Sequence, residues 1–171
     1  MRHSRFLVPM LLTLALIPSL AAANGALKIA ARYWSNPQKV GEGVLKHFFW
    51  NIYKAELIAP DANWRPDMPF ALALTYLQDI EGPDIADRTI SEMRDQGYAD
   101  ESALSAWRDE LRDIFPDVSY GTRLIGIRDS AGSTIFYCDG KRIGEIRDPV
   151  FTRRFFDIWL GEKTSEPDLR R

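Results

Sequence analysis

The chain has 171 residues, 22 Lys and Arg against 24 Asp and Glu, and 46% hydrophobic residues that include five Trp and nine Phe. That length and apolar content suit one domain, which would bury roughly two-thirds of its unfolded surface. Bases interspersed with acids leave no electrostatic footprint for nucleic acid, and a single cysteine, Cys138, excludes an intrachain disulfide.

Arg2, His3 and Arg5 precede an apolar run from Phe6 to Leu20, and Ala21-Ala22-Ala23 supplies the small residues that a signal peptidase reads. Pro9 and Pro18 interrupt the run, which is short for a hydrocarbon core ~30 Å thick, so cleavage after Ala23 is expected rather than an uncleaved anchor. Residues 1–23 are then a signal peptide and 24–171 a single mature domain. Loss of Arg2 and Arg5 leaves 20 basic residues against 24 acidic. No later segment is apolar enough to span a bilayer, which predicts a soluble periplasmic or secreted protein.

From Val44 to Ile58 apolar residues fall on both alternating sets, as in a long strand covered on both sides, or one bent near His47-Phe48. Pro60 to Pro69, with Asp61, Asn63, Asp67 and three prolines, reads as a surface loop. Phe70, Leu72, Leu74 and Tyr76 then alternate with Ala71, Ala73 and Thr75, a strand whose small residues can lie beneath a helix or a ligand.

Two helices follow. Ile85, Thr89, Ile90 and Met93 form a stripe ending at Gly97, and Leu104, Trp107, Leu111 and Ile114 form another ending at Phe115-Pro116. Strands resume at Val118 and at Leu124-Ile125-Gly126-Ile127, with a Ser130-Ala131-Gly132 turn after them.

Asp139-Gly140 between Ile135–Cys138 and Lys141–Ile146 predicts a hairpin with a type I′ turn, because both central residues need positive φ. Asp148 can cap a helix that carries Pro149 in its first turn, buries Phe151, Phe155 and Ile158, and stops at Gly161. Strands, helices, strands and a helix in that order predict an α+β domain: a largely antiparallel β-sheet with α-helices packed on one face.

Trp159-Leu160-Gly161 followed by Thr164-Ser165-x-Pro167 resembles the C-terminal block of the bacterial chalcone isomerase-like proteins. Gly41-Glu42-Gly43, the runs Trp50 to Leu57 and Pro69 to Tyr76, and Asp117-Val118-Ser119-Tyr120-Gly121 are similar to that family in the same order. The resemblance runs from about Val40 to the C-terminus and implies the chalcone isomerase fold. It also locates the enzymes' chemistry. Their catalytic arginine falls at Leu45, their downstream strand hydroxyl at Tyr53, and the active-site tyrosine before the first helix near Ile85. Phenolate addition across an enone needs an electropositive group and hydroxyl donors at the ketone. Two of the three positions lack them. Lys46 is adjacent, but neighbouring strand side chains point to opposite faces.

With the expected leader and the departures at Leu45 and Ile85, the resemblance implies a non-catalytic exported protein that holds a small apolar ligand, such as a fatty acid, in a cleft between sheet and helices. Two alternatives stand beside it: an intramolecular lyase on another substrate, and an envelope accessory protein that binds a partner through exposed aromatics. Tyr53 and Tyr76 are the candidate hydroxyls at the polar end of a ligand, although a strand Tyr is more often a core residue. Arg88 and Arg123 are candidates for a carboxylate, although solvated ion pairing is commoner for each.

No catalytic set, metal site or cofactor is expected. His47 is the only histidine beyond the leader and reads as a sheet residue, and Cys138 shows no activating neighbour. Asp109, Glu110, Asp113 and Asp117 read as a solvated face.

Overall fold

The computed structural model describes residues 20–47 and 50–164. The expected signal peptide up to residue 19, and Ser165 and Pro167 of the C-terminal block, lie outside the described residues. Six strands form one antiparallel sheet in sequential order: β1 (Pro37–His47), β2 (Trp50–Pro60), β3 (Phe70–Tyr76), β4 (Arg123–Arg128), β5 (Thr134–Cys138) and β6 (Lys141–Ile146). Helices α2 (Gly82–Asp95) and α3 (Glu101–Ile114) are inserted between β3 and β4, and α4 (Pro149–Leu160) follows β6. These three share one apolar core against Leu57, Phe70, Leu72, Leu74 and Phe136 of the sheet. The expected α+β layering is present.

An additional helix, α1 (Leu20–Ala30), lies on the opposite face. It buries Ala26, Ile29 and Ala30 against Ile58, Ala71, Ala73, Ile125 and Ile127. The small residues of β3 therefore lie beneath a helix. Beyond α1, the Tyr33 hydroxyl meets that of Tyr137 at 2.7 Å and ties the chain to β5. α1 runs through the junction where cleavage is expected, and Ala26 is already packed on the sheet.

The long strand expected over Val44 to Ile58 is instead a hairpin. His47 pairs with Trp50, so β1 and β2 run antiparallel from there; residues 48 and 49 lie outside the described residues. No Gly, Pro, Asn or Asp marks the reversal in the sequence, and apolar residues on both sides of it concealed the turn. Two bulges shift the phase of this ladder. Val40 is an extra residue in β1, and Ile52 is one in β2, where Leu45 pairs with Tyr53 but Lys46 pairs with Asn51. The strand expected to resume at Val118 is only a single bridge to Ile80.

Elsewhere local chemistry sets the boundaries. Asp139 and Gly140 have φ of 45° and 87°, as a type I′ turn requires. Asp148 accepts from the Val150 and Phe151 amides, capping α4, and its other oxygen accepts from Trp107 Nε1 at 3.0 Å. Asp117 is also more than a solvated acid, since it accepts from the Gly82 amide at 2.8 Å and holds the start of α2. Gly82 itself must lack a side chain: a Cβ there would stand 2.2 Å from the Phe115 carbonyl oxygen. The end of α3 therefore seats the start of α2 at close range, which fixes α2 over the sheet.

Candidate functional site

Between α2, α4 and the first five strands lies a cavity of about 550 Å³. Its deep wall is apolar. Leu72, Leu74, Leu124 and Phe136 come from the sheet, Phe155, Ile158 and Trp159 from α4, and Phe115 from the end of α3. Alternation puts the sheet residues there, because Phe70, Leu72, Leu74 and Tyr76 of β3 all project toward the helices. α4 contributes its aromatic stripe, in which Phe155 meets Phe136, Phe151, Phe156 and Trp159 with ring centroids 5.0 to 5.5 Å apart. Phe155 also covers Gly126, where a Cβ would come within 3.2 Å of its ring.

Three of the four expected site residues line this cavity: Tyr53, Tyr76 and Arg88. Tyr53 and Tyr76 pack edge to face at 5.7 Å on adjacent strands, where they are register partners. Their hydroxyls differ. Tyr53 accepts a hydrogen bond from Trp159 Nε1 at 2.7 Å, which anchors the end of α4 to β2. The Tyr76 hydroxyl has no hydrogen-bond partner among the described residues, and burial pushes its pKa above the ordinary phenol value. An unpartnered, neutral O–H beside an apolar cavity can donate to a ligand oxygen.

Arg88 is at the mouth, where its guanidinium pairs with Glu92 one helical turn along. Arg123 does not join the others. Residues 123 and 124 point to opposite faces of β4, so Leu124 faces the cavity while Arg123 faces away and pairs with Glu56 of β2. Sequence alone gives β4's alternation but not which set of its residues faces the helices, and that choice removes Arg123 from the site.

All three positions that the family resemblance marks do converge here: Leu45, Tyr53 and Ile85 line the same cavity. Lys46 lines it as well, contrary to simple alternation. β2 bulges at Ile52 directly opposite this stretch, where the extra residue increases the local twist and puts Ile52 and Tyr53 on one side. Nothing in the sequence signals that bulge. The remaining polar residues at the rim are Asp84, Thr89 and Glu92 of α2, and the Thr89 hydroxyl is bonded to the Ile85 carbonyl. Cys138 lies outside the cavity lining, with its thiol pKa raised by burial and by Asp139, which makes it a poor nucleophile.

No family model matches the chain, and no curated protein matches it in sequence. Among solved structures, the crystal structure of a fatty-acid binding protein from Arabidopsis thaliana superposes with a TM-score of 0.63. The match covers 80% of this chain and 86% of that one at 11% identity. That protein has the chalcone isomerase fold. The six-stranded antiparallel sheet with its helices is the same architecture, and this chain has the chalcone isomerase fold.

Proposed function

We propose that this protein is a non-catalytic binder of a small apolar ligand, and that a fatty acid is the class it takes. The observation that carries the reading is the apolar-walled cavity of about 550 Å³, with few polar groups and, among the described residues, one lining hydroxyl without a partner, that of Tyr76, which is the composition of a site for a small apolar molecule. The Arabidopsis protein of the same fold is itself a fatty-acid binding protein, which supports the ligand class. A non-catalytic role is supported by Leu45 and Ile85. At two of the three wall positions where the resembling enzymes carry arginine and tyrosine, this chain offers only alkyl groups, which can neither stabilise a phenolate nor donate a proton.

The accessory-protein alternative draws less support. The exposed large apolar residues among those described are Val44, Met68, Tyr120 and Val150, which stand on separate elements and include one aromatic ring. Export through cleavage after Ala23 belongs to the same proposal. It is supported by the basic start and apolar run of the leader, and by the position of Ala26 as a buried contact just downstream. No helix among the described residues is long and apolar enough to cross a membrane.

Native mass spectrometry of the full chain expressed in a Gram-negative host tests both parts at once. The expected spectrum shows a chain beginning at Asn24 that carries a small apolar molecule released on denaturation. A protein that stays ligand-free after incubation with medium-chain fatty acids would overturn the binding reading, and an intact Met1 in the membrane fraction would overturn export.

A further inference from the structure

We propose that the cavity takes its ligand with the acyl chain inward and an acidic head at the mouth, and that Lys46 is the residue that selects the acid. This rests on the binding reading above and adds the orientation and the head-group chemistry. The deep wall excludes a charge. Its polar atoms are the Tyr76 hydroxyl and the Tyr53–Trp159 pair, which cannot replace the hydration that an ionised carboxylate loses on burial. The head must therefore stay where water still reaches it.

Four charged residues border the mouth: Lys46 on β1, and Asp84, Arg88 and Glu92 on α2. Arg88 and Glu92 cancel one another. The Glu92 side chain is 13% exposed against 68% for Arg88, so the carboxylate is the shielded partner and keeps its cation close. Asp84 lies in the first turn of α2, where the free amides of the helix start favour a negative charge. Lys46 is the cation left over. It is exposed, and it makes no ion pair among the described residues. It lines the cavity beside Leu45, so its alkyl stem can follow the apolar wall while the ammonium reaches a head group in water.

Decanoic acid, decanol and decylamine form a probe series that shares one tail and varies only the head. Calorimetric titration at pH 8 and low salt is expected to show decanoate bound roughly tenfold more tightly than decanol, a charge-assisted contact of about 1.4 kcal/mol. Lys46→Gln should bring decanoate down to the decanol value and leave decanol unchanged. Lys46→Glu should invert the preference toward decylammonium. Lys141→Gln, which removes an exposed lysine outside the cavity, should leave the order intact. The proposal is overturned if wild type binds decanoate and decanol equally, or if Arg88→Gln abolishes the preference and Lys46→Gln does not. If none of the three probes binds at all, the binding reading itself falls and the head-group assignment falls with it.

Discussion

On the side covered by α2, α3 and α4, β3 presents Phe70, Leu72, Leu74 and Tyr76; on the side covered by α1, the same strand presents Ala71 and Ala73, both 0% exposed. The difference in side-chain size decides what each face can do. Bulky residues hold the helices away from the backbone, and where the aromatic rings fail to fill the gap, a cavity remains. Small residues let one helix settle directly on the strands, and that face is closed. One strand with a period of two thus builds a binding layer and a supporting layer back to back.

The largest test of this contrast concerns the aromatic wall. Phe155→Ala removes a ring that is 5% exposed and touches four other aromatics. The expected loss is ~3–5 kcal/mol, or very roughly 6–20 °C in thermal midpoint for a chain of this length. Arg153→Ala on the exposed side of α4 should shift it by no more than ~0.5 kcal/mol. Equal, mild effects by thermal denaturation would mean that α4 is not anchored by its rings.

That helix is also where the sequence was most informative. Asp148-Pro149, the Phe151, Phe155 and Ile158 stripe and Gly161 each act within one turn of their own position, so their consequences can be read locally. α2, α3, β3 and the Asp139-Gly140 turn were legible for the same reason. The β1–β2 reversal was not, because its turn residues carry no turn chemistry and its position depends on pairing across the hairpin. The site divides in the same way. Tyr53, Tyr76 and Arg88 were found from element position, whereas Lys46 lines the cavity against the alternation that would turn it away, and Arg123 depends on which side of β4 faces the helices. α1 is not legible in the sequence, because residues 20–23 equally suit the end of a leader and the helix they begin has its partners only in the assembled sheet.

An intermediate effect should separate the two faces by packing. Ala73→Leu inserts bulk beneath α1, where no space exists, and should cost ~1–3 kcal/mol in chemical denaturation. Ile85→Phe adds bulk to the cavity wall, which has room for it, and should change stability by less than ~1 kcal/mol while displacing bound decanoate. If Ala73→Leu proved the milder of the two, the supporting face would be the looser one and the contrast would reverse.

The smallest expected effect lies outside both layers. Asp87 on α2 accepts two hydrogen bonds from Arg112 on α3, from Nε at 3.0 Å and from the terminal nitrogen at 2.5 Å. The Arg112 hydrogen bond, followed by its charge, holds the Asp87 carboxyl below the usual aspartate value. A lowered folded-state pKa gives stability that is present above the unfolded value of ~3.9 and is lost as pH falls through the folded one. Both side chains are about two-fifths exposed, so Asp87→Asn should cost less than ~1 kcal/mol at pH 7 and less again in high salt. The difference from wild type should close as the pH is lowered past the folded-state value. A gap that persists in acid would assign the contact to packing instead of charge.

The unpaired Ile52 of β2 gives chain length a meaning that composition does not have. In a ladder of alternating faces, one added residue lets two neighbours of a strand share a face while the pairing beyond them continues. Removing it would take one alkyl group from the cavity wall and leave Lys46 paired with Asn51 as before. A lineage or a designer could therefore add to or trim this wall by a single-residue insertion or deletion, without exchanging any other side chain that lines the cavity.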